Sequence, residues 1–148
     1  MRDVRGQEKC MDATWPKKAA DSFWLAAARS LEQRRISPTQ FQMLLIPAVV
    51  CSAFSIELGI KAILLRSGQP PKTHNLAMLF EALPSAIQDQ VVLACGMSRK
   101  DFDAALGEAA KLFEKWRYVY EMDEPQVNLR FVTQLADAVR VATDLHAL

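Results

Sequence analysis

The chain has 148 residues, 51% of them hydrophobic, and a formal net charge of +1. That length predicts one domain with a core that needs neither disulfides nor metals, and the near-neutral balance excludes a global basic field for nucleic acid, so any polyanion site has to be local. Cys10, Cys51 and Cys95 are widely spaced and odd in number, which excludes a disulfide framework or a zinc spacing and fits free thiols in a reducing cytoplasm.

Residues 1–14 are mixed and charged without periodicity, and are expected to form a flexible N-terminal arm with no apolar signal core. Residues 15–148 are expected to form a single helical domain. Trp15-Pro16 opens a first helix, with Ala20, Phe23, Trp24, Ala27, Ala28 and Leu31 at helical spacing and an end near Arg34-Arg35. Ser37-Pro38 reads as cap and first position of a long second helix running to about Ser67, with Pro47 kinking it or marking a second start. From Ala48 onward that helix is apolar nearly all round, which predicts a central position in a bundle. The apolar run Met43 to Phe54 is too short to span a bilayer; a soluble, cytoplasmic protein with no membrane partner is expected.

Gly68 and Pro70-Pro71 end the second helix, and Asn75 is placed to cap a third, with Leu76, Leu79, Phe80 and Leu83 buried. Pro84 interrupts it, and a short helix over Ser85 to Ala94 follows. Ser98 to Asp101 resembles a capping box for a helix reaching about Glu121, with Trp116 and Tyr120 facing inward. A last amphipathic helix spans about Val127 to Leu145. With no convincing strand, the fold class is all-α, an up-and-down bundle of four to five main helices.

Three groups of residues can carry chemistry. Glu57 and Lys61, acid first at i,i+4, share one face of an otherwise apolar helix. They are either an exposed ion pair or, given their neighbours, part of a buried network, an interface or a site. Lys72-Thr73-His74-Asn75 precedes a helix, where His74 either serves the backbone or, with Lys72, meets a phosphate or moves a proton. Arg117, between Glu114 and Glu121, presents a planar fork suited to carboxylate or phosphate; it either pairs with Glu57 or Glu121 to fix the bundle or belongs to a site. Arg140 and His146 are six apart and point in different directions on a helix. There is no phosphate-binding glycine loop, nucleophile elbow or His-x-x-x-His pair, so neither metal nor cofactor is expected.

Together, Pro47…Phe54-Ser-Ile-Glu57-Leu-Gly-Ile-Lys61, then Lys72-Thr-His74-Asn-Leu76…Leu79, then Trp116-Arg117-Tyr118…Tyr120-Glu121 resemble HEPN domains, the higher eukaryotes and prokaryotes nucleotide-binding superfamily, in its small stand-alone bacterial form. The resemblance covers roughly residues 15–145. It implies a helical bundle that homodimerises with a polar cleft along the dimer interface, and binding of RNA or a nucleotide. Many members are metal-independent endoribonucleases of toxin–antitoxin and defence systems. It also implies that Arg117 and His74 would be the catalytic pair, with Glu57, Lys61, Lys72, Tyr118 and Glu121 as ligand-binding residues. The nuclease pattern places a His beyond the Arg with four to six residues intervening; here positions 122–124 are Met122, Asp123 and Glu124. The expected function is therefore RNA or nucleotide binding with degenerate or absent ribonuclease activity. The alternative is a non-catalytic regulatory module, antitoxin-like or the partner of a nucleotidyltransferase, working with a protein encoded nearby.

Overall fold

The computed structural model describes residues 12–123 and 126–147, with every side chain in them except those of Phe113 and Arg117. Most of the expected N-terminal arm, residues 1–11, lies outside the described residues. The fold is mostly helical, with one small sheet.

Helix α1 (Thr14–Ser30) opens one residue before Trp15, where Asp12 Oδ1 accepts the Thr14 N–H at 2.9 Å. It ends at Ser30, short of Arg34-Arg35. Those arginines belong instead to a hairpin, β1 (Arg34–Ser37) and β2 (Gln40–Gln42), antiparallel and joined by Pro38-Thr39. Ser37-Pro38 therefore makes a turn and not a helix start. Arg35 fastens it, donating from Nε to the Ser37 carbonyl and from Nη2 to the Pro38 carbonyl at 3.2 and 3.0 Å. The Leu44 N–H closes the base of the hairpin onto the Ser30 carbonyl at 2.9 Å. The expected long second helix is thus cut to α2 (Leu45–Leu64). Pro47 becomes its third residue, in the first turn, where a helix leaves its N–H groups without intrahelical partners and proline is tolerated.

Helix α2 is the centre of the fold, as its apolar circumference predicts. Ala48, Val49, Ala53, Ile56 and Ala62 are fully buried, with α1, α6 (Leu112–Arg117) and α7 (Leu129–His146) packed around it. By length and composition alone α2 could cross a membrane, with mean hydropathy 1.7. Its residues are spent on the protein core instead, since 61% of that apolar window is buried within the chain. Helix α7 comes up tight against α2 at Gly59, where a Cβ would lie 2.7 Å from Val139 Cγ1. Here glycine is required by space.

After α2 the chain turns through Gly68 at φ +144°, a conformation that costs glycine little. Helix α3 (Leu76–Glu81) is capped by Asn75 as expected, its Oδ1 accepting the Met78 N–H at 3.1 Å, and Leu76, Leu79, Phe80 and Leu83 are buried. Helix α4 (Ser85–Ala94) begins after Pro84, and α5 (Arg99–Ala109) is capped by Ser98 Oγ on the Asp101 N–H.

The helix expected to reach Glu121 breaks instead into α5, α6 (Leu112–Arg117) and a 3-10 turn, Val119–Glu121. The reason lies at Ala110, whose carbonyl accepts the Leu76 N–H at 2.8 Å across the fold. Lys111 leaves the helical region at φ −109°, ψ 23°. A second departure at Tyr118 changes the helical phase, so Trp116 is buried while Tyr120, expected inside, is 77% exposed. Helix α7 is capped by Asn128 and buries Phe131, Leu135, Ala138, Val139 and Ala142 along one face, as befits the amphipathic helix expected there.

Candidate functional site

Two local devices carry His74 to the central helix. Thr73 Oγ1 accepts the Asn75 N–H at 3.1 Å, and Asn75 caps α3. The Leu76 N–H is anchored on Ala110. The loop that Pro70-Pro71 begins is thereby fixed against α2, and its histidine meets Glu57.

Glu57 is only 3% exposed. Its Oε1 accepts from Lys61 Nζ at 2.7 Å and from His74 Nδ1 at 2.8 Å. The exposed ion pair considered from sequence is therefore not what forms: the carboxylate lies in the core and joins two elements 17 residues apart. Lys61 and His74 extend outward from it, with side chains 21% and 55% exposed. The second carboxylate oxygen, Oε2, is buried with no hydrogen-bond partner among the described residues. A buried carboxylate held by two donors and still holding acceptor capacity is costly, and such groups concentrate at interfaces and sites.

The hydrogen bond also defines the imidazole. A carboxylate only accepts, so the proton of the shared bond sits on His74 Nδ1 and the lone pair of the neutral ring on Nε2. The histidine is thus held in one tautomer by a buried acid, the arrangement that positions an imidazole for proton transfer or anion contact.

The remaining residues named from sequence are less tightly gathered. Lys72 is exposed in the loop before His74. Tyr118 is half exposed, and Glu121 is exposed on the 3-10 turn. Arg117 is the last residue of α6, a helix packed against α2; the placement of its side chain, and so its expected pairing with Glu57 or Glu121, lies outside the described residues. Among the described residues no group of three His, Cys, Asp or Glu side chains is placed to hold a metal ion.

A second polar constellation, between α1 and α7, escaped the sequence reading. Lys17 Nζ sits 2.9 Å from both Asp21 and Asp144. Its hydrogen bond to Asp21, then that to Asp144, raises the ammonium above its ordinary range. Two turns further on, Trp24 Nε1 donates to Asp137 at 2.7 Å, and the Arg140 guanidinium lies 4.1 Å from the Trp24 ring centre. The i,i+4 pair Lys17–Asp21 was visible in the sequence; its partners on α7 were more than a hundred residues away. As expected, Arg140 and His146 diverge, for His146 Nε2 lies 3.0 Å from Gln90 Oε1 on α4. This seam fastens the first helix to the last.

Comparison with protein-family models, with curated proteins and with solved structures finds no match for this chain.

Proposed function

We propose that this is a HEPN-like helical domain that binds RNA or a nucleotide phosphate at the Glu57–Lys61–His74 cluster, with degenerate or absent ribonuclease activity. The observation that carries the reading is the buried Glu57 carboxylate, which holds a lysine and a histidine side by side at the edge of the core. Lys61 supplies a point charge for a phosphate. His74 supplies a ring of fixed tautomer, and Lys72 adds charge on the same loop. Arg117 is assigned by its resemblance to the arginine of HEPN nucleases, although the histidine of that motif is missing here; such an arginine would stabilise charge growing on the scissile phosphate. In any residual cleavage the 2′-hydroxyl would attack the adjacent phosphorus and expel the 5′-oxygen, with His74 moving the proton and no divalent metal taking part. The cytoplasm, and a toxin–antitoxin or defence role, belong to this same reading.

The test is RNA and nucleotide binding across a salt series, for the wild type and for Lys61→Ala and Arg117→Ala. Expected is binding that weakens with salt and is lost in both variants. A folded wild type that binds neither RNA nor nucleotide at low salt would sink the reading. RNA incubated without divalent metal measures cleavage, and equal background in wild type and Arg117→Ala would remove the nuclease element. One observation favours the second reading, a regulatory interaction module: a run of exposed apolar side chains on and beside the hairpin. A folded protein that ignores RNA yet co-purifies with a protein encoded nearby would establish it.

A further inference from the structure

Helices α1 and α7 lie side by side over α2, and the space between the three is not filled evenly. At Gly59 α7 sits tight on α2. Beyond Trp24, toward the C-terminal end of α1, the seam opens into a groove of about 280 Å³, near the lower end of the roughly 300–1,000 Å³ usual for small-molecule sites. The cause is side-chain size. Ala27 on α1, Ser52 on α2 and Ala136 on α7 all line the groove, and none is long enough to reach across it. Trp24 and Leu31, two turns apart on α1, line it as well and bracket the small residues between them.

Three polar groups interrupt these apolar walls. Ser52 is only 1% exposed, and its side chain makes no hydrogen bond among the described residues; only its carbonyl is engaged, by Ser55 Oγ at 2.9 Å. A buried hydroxyl left unpaired is costly, and points to a partner that the fold itself does not supply. Asp137 accepts the Trp24 Nε1–H through Oδ1 at 2.7 Å and has no ion-pair partner among the described residues. The Arg140 guanidinium, stacked on the same indole, turns to Asp21 at 3.8 Å. Thr133 Oγ1 directs its one proton to the carbonyls of Leu129 and Arg130, so toward the groove it can only accept.

From this we infer that the groove is a binding site for a small hydroxylated amine in its ammonium form. Asp137 and Thr133 can only accept, so the ligand has to donate, and a carboxylate with an uncommitted oxygen favours a donor that carries positive charge. The alanines and the Trp24 ring call for a hydrocarbon or aromatic body. Ser52 on the floor can both donate and accept, and takes the hydroxyl of the ligand. No lysine or arginine lines the groove among the described residues, which disfavours an anion. The site goes beyond the reading of the Glu57 cluster and does not depend on it. Ser52 and Glu57 are five residues apart on α2, so at 3.6 residues per turn their side chains leave the helix about 140° apart.

The experiment titrates the full chain with tyramine and follows the Trp24 indole N–H in ¹H–¹⁵N spectra, that signal being assigned by its absence in Trp24→Phe. Expected is a saturable shift at millimolar tyramine or below. Affinity should weaken tenfold or more in Asp137→Asn, which keeps an oxygen for the Trp24 donor, and several-fold in Ser52→Ala. Should Asp137→Asn fail to fold, para-ethylphenol, which lacks the ammonium, carries the same test on the wild type and should bind at least tenfold more weakly than tyramine. No shift of the Trp24 signal at tens of millimolar tyramine overturns the inference. So does an affinity left unchanged by Asp137→Asn or by Ser52→Ala, or equal affinity for tyramine and para-ethylphenol.

Discussion

Glu57 on α2 and His74 in the loop before α3 share a 2.8 Å hydrogen bond at the margin of the core, and that bond decides how the imidazole is presented. The acceptor is buried and the donor ring is largely exposed. With Glu57 in place, His74 should show the Nδ1-protonated neutral tautomer in ¹⁵N spectra, His146 serving as internal reference. In Glu57→Ala both tautomers of His74 should appear. Persistence of a single Nδ1-protonated form in that variant would refute the assignment.

The same carboxylate is a stability element. Glu57→Gln keeps the shape but turns one buried oxygen into an amide donor, and it weakens the bonds to Lys61 and His74. The expected loss is about 1–3 kcal/mol by urea denaturation. Lys61→Met leaves the acid with one of its two described donors and is expected to cost about 1 kcal/mol. A double-mutant cycle of Glu57→Gln with Lys61→Met should show non-additivity, since the two touch at 2.7 Å.

Gly59→Ala separates propensity from space. In an open helix the change would gain about 1 kcal/mol. Here the new Cβ would lie 2.7 Å from Val139 Cγ1 and 3.1 Å from Thr143 Cγ2. Val139 is β-branched and stiff, so the helices must part, and the net expectation is a loss of about 1–2 kcal/mol. In a Val139→Ala background the same substitution should become neutral or stabilising. A loss of equal size in both backgrounds would show that contact with Val139 is not the cause.

The Trp24–Asp137 bond at 2.7 Å fastens α1 to α7. Trp24→Phe keeps a ring under Arg140 but removes the donor, and should cost about 1–2 kcal/mol in thermal or urea unfolding. Trp24→Leu removes the ring as well and should cost more, because the Arg140 stacking at 4.1 Å goes with it. Equal losses would mean that the guanidinium contact contributes nothing.

Alkaline pH should destabilise the fold from two sides. Burial, with a smaller contribution from Asp137, pushes the Cys95 thiol up to about 11 from 9.0. Between those values the unfolded chain sheds a proton that the folded chain keeps, so stability falls as pH rises through that window. Lys17, raised above 10.5 by Asp21 and then Asp144, contributes stability that is full below 10.5 and lost as pH climbs through its folded value. Melting temperatures should fall from pH 9 upward, and Cys95→Ala should flatten the first part of the decline. An unchanged slope in that variant would contradict the assignment.

What the sequence revealed follows the range of the forces involved. Asn75 and Ser98 were legible as caps because capping is decided within three residues. The centrality of α2 was legible because Ala48 to Leu64 leaves no polar stripe. The hairpin was hidden because proline suits both the first turn of a helix and a tight turn. No described non-glycine residue there has a positive φ, so the turn carries none of the Asn-Gly chemistry that marks a hairpin. The break at Ala110 was hidden because its cause, the Leu76 N–H, lies 34 residues away. At the site, Glu57 with Lys61 could be read as one turn of helix, and His74 stood out as a loop histidine. Their meeting on a single oxygen depended on how the loop folds back, which no local spacing encodes.

The place of α2 bears on how the chain is made. Its cover from the far side is α7, and 64 residues separate Leu64 from Leu129. At 5–20 residues per second, a ribosome takes several seconds to cross that distance. Through that interval a 20-residue apolar segment, long enough to be sorted as membrane-spanning, stands half clothed on the emerging polypeptide, by α1 first and by α3 and α6 only as they follow. The buried Glu57 carboxylate and the partly exposed Lys61 ammonium in its second half then act during synthesis as well as after it. Two such charges raise the cost of lateral entry into lipid over the seconds before its last partner arrives.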